Sequence, residues 1–156
     1  MKYLTIFAVL VLPAPWLAAD NFFAFLQERP AVTVGEVEQV VSLLLPARGK
    51  DAATLPPSPA EARKLLATQG WKVSTASPGD PATAGYAALL FFQALGLRGG
   101  LTTLILGPTE RYSVMELSSR RLMAHRGECG ALSGRDLVSL LGRASAWRQE
   151  REGSKP

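Results

Sequence analysis

Five arginines, Arg111, Arg120, Arg121, Arg126 and Arg135, crowd one stretch of the second half of this chain. A guanidinium offers a planar fork of donors that grips carboxylate or phosphate oxygens in pairs, so such a group could form an anion-binding stripe. Arg111, Arg120, Arg121 and Arg135 are the candidate ligand-binding residues. Their competing role is a solvated face, in which Glu116 pairs with Arg120 at i, i+4 for about 0.3–0.5 kcal/mol.

Other chemistry has thinner support. His125 is the only histidine and Cys129 the only cysteine, four residues on. Two ligands fall short of the three or four that a zinc site needs, and Gly127 and Gly130 read as loop, so no metal is expected. A Ser-His-Asp triad would have to use His125, and no Gly-x-Ser-x-Gly turn supports one. There is no phosphate loop of the Gly-x-x-x-x-Gly-Lys type. Gly96, Gly99 and Gly100 follow an apolar helix rather than a strand, unlike a dinucleotide fingerprint. Glu36 and Glu38, at i and i+2 of one helix, point apart rather than flanking a bond. No cofactor and no catalytic residue is expected.

The charge is distributed unevenly. Residues 20–80 hold 6 bases and 7 acids and residues 81–156 hold 10 bases and 6 acids; with Lys2 the net charge of the full sequence is +4. A basic second half suits an anionic polymer or surface. Nucleic acid is disfavoured by the sparse mixing of bases with aromatics and by the signs of export. The chain opens with one Lys, an apolar run Tyr3–Leu12 too short to span a bilayer, two prolines, then Ala18 and Ala19 before Asp20. This is the layout of a secretory signal peptide, residues 1–19. The mature chain, residues 20–147 with a polar tail 148–156, is expected in the periplasm or at the cell surface. No stable membrane span is expected once the signal is removed.

The elements that must position the arginines are helices. Thr33 caps a segment whose apolar positions Val37, Val40, Val41, Leu44 and Leu45 share one helical face, and Glu36 completes a capping box. Residues 47–59 read as a linker. Ser58, Pro59 and Glu61 open a helix that Gly70 ends. Thr83 caps 84–97, apolar on most sides, which predicts the central helix. Residues 98–107 suggest a short extended segment at Leu101–Leu106. Thr109 starts a helix to about Met123, and Ser133 one to Trp147. Asn21–Glu28 is a short aromatic helix whose Phe22, Phe23 and Phe25 either pack on the core, the favoured arrangement, or stay exposed as a docking patch. The fold class is all-α.

Thr33, Thr83 and Ser133 stand 50 residues apart. The periodicity predicts pseudo-repeated helix pairs, 33–45 with 59–70 and 83–97 with 109–123, and a third begun by 133–147 and left unfinished. In 33-TVGE-36 and in 62-ARKLLATQGWKVSTASPGDPATAGYAALLFFQALGL-97 the chain resembles S-layer homology (SLH) domains, as loose organisation over Val32–Trp147. There a helix ends in a glycine turn, an irregular loop follows, and a Thr-Arg-Ala-Glu-like cap opens the next helix. The resemblance implies a non-enzymatic envelope protein, since members of the family commonly bind pyruvylated or other acidic wall polymers. The family arginine after the Thr is matched here by Val34, Ala84 and Gly134. The family Glu is matched by Glu36, Tyr86 and Asp136, and Arg135 is displaced by one position. The helical arrangement therefore carries over and the polysaccharide site does not; Thr33, Glu36, Thr83 and Ser133 are read as structural caps. The expected partner is an envelope protein or an anionic wall polymer. The alternative is a small secreted enzyme acting on cell-wall material.

Overall fold

The computed structural model describes residues 15–45, 56–100, 105, 107–124 and 127–153, with the side chains of 15–20 excepted. These residues form six helices and no strand: α1 (Pro15–Glu28), α2 (Val34–Ser42), α3 (Pro59–Thr68), α4 (Ala84–Ala94), α5 (Glu110–Ser119) and α6 (Gly134–Gly153).

Side-chain caps define the starts. Thr33 Oγ1 accepts from Glu36 N while Glu36 Oε2 accepts from Thr33 N. Ser58 and Glu61 exchange the same pair of bonds, with Pro59 in the first turn of α3. Thr83 accepts from Tyr86 N, Thr109 from Tyr112 N and Ser133 from Asp136 N. Each cap satisfies one of the amides that a helix start leaves without an internal partner.

The next amides of the three major helices are satisfied in a closed circuit. Val34 N donates to Asp80 O at 2.9 Å, ahead of α4, and Ala84 N donates to Gly130 O at 2.8 Å, ahead of α6. Gly134 N donates to Arg29 O at 3.0 Å, ahead of α2, and so closes the circuit. Inside it, Val32 N donates to Leu132 O and Ala82 N to Val32 O. Thr33 bridges Pro81 and Thr83 bridges Ala131 in antiparallel fashion. Val32, Ala82 and Leu132 are buried where the three extended segments meet. Polar backbone in a dry centre must be paired, and this pairing ties three distant parts of the chain together.

Below this junction α2 packs on α3, α4 on α5 and α6 on α1, and α2 also touches α4 and α6. The face of Val37, Val40, Val41, Leu44 and Leu45 is buried. α4 is buried almost all round, from Ala84 to Phe92, which makes it the central helix. α3 starts beside the start of α2, and α5 beside that of α4, as the neighbours of Gly35 (Pro59) and Gly85 (Glu110) show.

Four sequence expectations need correction. The helix headed by Ser133 does have a partner: α1, from the other end of the chain. α1 is laid the opposite way to α3 and α5, because its last turn, not its first, meets the start of α6. Leu26 is fully buried there, Phe22 and Phe23 pack against the core, and Phe25 is exposed with the Arg29 guanidinium 4.9 Å from its ring centre. α1 also begins at Pro15, ahead of Asn21. The last helix does not stop at Trp147, for α6 continues to Gly153. Arg148 pairs with Glu152 at 2.9 Å and donates to Leu44 O, and Arg151 lies 4.7 Å from the Trp147 ring centre. Of Leu101–Leu106 only Ile105 is among the described residues, helical and exposed; most of the linker 47–59 lies outside them.

Candidate functional site

The four arginines sit at two ends of the molecule. Arg111 is in the first turn of α5 and Arg135 in the first turn of α6, both exposed, at the end where the helix starts meet. Arg120 and Arg121 close α5, about 15 Å away along a helix of ten residues rising ~1.5 Å each. The single stripe expected from sequence is therefore two basic edges. Arg126 and His125 lie outside the described residues, and Cys129 is exposed and unpaired with another cysteine.

Helix position and backbone conformation single out three of these residues. Arg111 and Arg135 occupy first helical turns, where the positive end of the helix macrodipole disfavours cations by a few tenths of a kcal/mol. Glu110 and Asp136 beside them offset that cost. Arg121 has φ of +58°, in the left-handed region, at a position where α3 and α4 use Gly70 (+72°) and Gly96 (+57°). A non-glycine residue there costs roughly 1 kcal/mol. None of these three has an ion pair among the described residues.

The far edge is richer. Arg120 is held by Glu116 at 2.6 Å, and its guanidinium lies 6.0 Å from the Trp147 ring centre. Arg143 Nη1 donates to Arg121 O at 3.4 Å. Trp147 is thus flanked by Arg120 and Arg151, and beside it Arg148, Arg151 and Glu152 line an open cleft of about 240 Å³ against Ala94–Gly96. Cation–π contacts fix the arginines without consuming all their donors, so the edge can still offer N–H groups to an anion.

A second polar group, not apparent in sequence, lies in the core. The Glu38 side chain is 0% exposed. It takes a forked pair of bonds from Arg63 at 3.0–3.1 Å, and Tyr86 Oη donates to Glu38 Oε1 at 2.7 Å. Ser74 N donates to Tyr86 Oη. α2, α3 and α4 each contribute one member. The only signal was Glu38 itself, a charge on the apolar side of α2. The Glu38 hydrogen bond holds Arg63 above its ordinary pKa. Burial, reinforced by the bond to Glu38, holds the Tyr86 phenol well above its ordinary value of 10.0. A phenol whose pKa is raised by folding stabilises the fold fully below its unfolded pKa, and loses that contribution as pH climbs towards the folded value. Stability should therefore fall above about pH 10. Tyr86→Phe should flatten that fall in urea titrations between pH 9 and 12; an unchanged slope would mean another group titrates.

Among the described residues no three His, Cys, Asp or Glu side chains gather as a metal site, and no helix is long and apolar enough to cross a membrane. Comparison with protein-family models, with characterised proteins and with solved structures finds no match.

Proposed function

We propose that this chain is an exported, non-enzymatic protein of the cell envelope that binds an envelope protein or an anionic wall component through repeated helix pairs, in the manner of S-layer homology domains. The observation that carries the reading is the closed circuit of backbone bonds among helix starts 50 residues apart. Val34, Ala84 and Gly134 donate in turn to the segment ahead of the next major helix. Three such junctions support three related units, with α1 standing in for the minor helix of the third. Export rests on the run Tyr3–Leu12 followed by Ala18 and Ala19. The anionic partner rests on exposed arginines at positions where they do not favour their own helices.

Sedimentation of the chain from Asp20 with isolated wall and membrane fractions, at low and high salt, tests the proposal. Salt-sensitive co-sedimentation with wall material is expected. Recovery of the protein in the supernatant of every fraction would refute it. Arg121→Gly sharpens the test: it should raise stability by roughly 1 kcal/mol, by relieving the left-handed backbone, and weaken binding. A more stable variant with undiminished binding would remove Arg121 from the site.

A further inference from the structure

Another cleft meets the one beside Trp147 at Gly96, which lines both, and lies on the Trp71 side of the α4 end. It has a volume of about 420 Å³, inside the ~300–1,000 Å³ range of small-molecule sites. It opens where α4 ends and the chain leaving α3 crosses it. Trp71, Phe92, Leu97 and Pro108 supply its apolar walls, with Gln93 and Arg98 beside them. Gln93 is held in place at both ends of its amide: Oε1 accepts from Lys72 N at 3.0 Å and Nε2 donates to Leu89 O at 3.2 Å.

The charge at this cleft is one-sided. Arg98 is exposed and has no ion pair among the described residues. Lys72 Nζ, beside the wall residue Pro108, donates to its carbonyl at 3.3 Å and has no ion pair among the described residues. The partial negative charge of the α4 carboxyl end is partly taken up by Gly96 N donating to Gln93 O and Leu97 N donating to Phe92 O. An apolar hollow with two cations at its mouth complements a ligand with a greasy body and one acidic head. The body would displace water from the aromatic walls while the head meets a guanidinium.

We infer that this cleft binds a small amphiphilic monoanion, an aliphatic carboxylate, with its chain against Trp71, Phe92 and Leu97 and its carboxylate on Arg98. The inference stands apart from the wall-binding proposal and survives that proposal's failure. The test is calorimetric titration of the full chain with octanoate, below its micelle concentration, and with 1-octanol. Three proteins are compared: wild type, Arg98→Met and Arg135→Met, the last removing an exposed arginine elsewhere. Saturable octanoate binding is expected, weakened roughly tenfold by Arg98→Met and unchanged by Arg135→Met, since a charge-assisted bond is lost only in the first. Octanol should bind wild type and Arg98→Met equally. Absence of saturable octanoate binding, equal weakening by both substitutions, or octanol binding as tightly as octanoate would each overturn the inference.

Discussion

Glu38→Ala should destabilise the protein by about 3–5 kcal/mol, the usual range when one partner of a buried ion pair is removed. The loss strands two groups at once. Arg63 keeps a guanidinium whose side chain is only 26% exposed, and the Tyr86 hydroxyl loses its acceptor in a residue only 5% exposed. The three side chains come from three helices, so the damage spreads over the contact between α2, α3 and α4. Against a total stability of about 5–15 kcal/mol this is a large fraction. Urea denaturation measures it. A companion variant, Glu38→Met with Arg63→Met, should recover much of the loss, because the desolvation cost of both charges disappears together. A single-site loss below about 1 kcal/mol would show that the carboxylate is not buried as described.

Gly134→Ala should detach the N-terminal helix. A Cβ at this position would overlap the carbonyl oxygen of Leu26 and lie 2.6 Å from its carbonyl carbon. Backbone cannot swing aside as a long side chain can, so α1 must withdraw from α6. Withdrawal breaks the bond from Gly134 N to Arg29 O and exposes Leu26, now fully buried. Leu26 alone is worth about 1.5–3 kcal/mol of burial. Hydrogen exchange should show amides of Asn21–Glu28 losing protection while those of α2 and α4 keep theirs. Gly142→Ala is the control on the same helix. Nothing lies within 4 Å of its added methyl, so the change should stabilise α6 by up to about 1 kcal/mol. Equal behaviour of the two variants would mean that α1 does not dock on the start of α6.

These two sites also show where the sequence could be read and where it could not. Helix starts were legible because a cap is local: Thr33 with Glu36, or Ser58 with Pro59 and Glu61, sets out its bonds within four residues. Burial of α2 was legible from the spacing of its valines and leucines. The partner of α6 was not, because α1 lies more than 100 residues earlier and no local periodicity records such a contact. The length of α6 was missed for a related reason. The residues beyond Trp147 look polar, yet Arg148 and Arg151 hold the extra turns through Glu152, Leu44 and Trp147. Glu38 was weighed only against Glu36 on its own helix, whereas its partners stand 25 and 48 residues away. The arginines were legible as a basic group but not as two edges, since their division depends on how α5 and α6 are laid.

Binding through those edges is the central claim, and one measurement tests it most directly. Wild type and a variant carrying Arg111→Ser, Arg120→Ser, Arg121→Ser and Arg135→Ser should be compared for affinity to isolated wall material across a salt series. All four residues are exposed, so the variant should stay folded, which circular dichroism checks. The account predicts that wild-type affinity falls steeply with salt, and that the variant binds at least tenfold more weakly with a shallower dependence, as expected when screened charge pairs carry the attraction. A folded variant that binds wall material as tightly as wild type, with the same salt dependence, would contradict it.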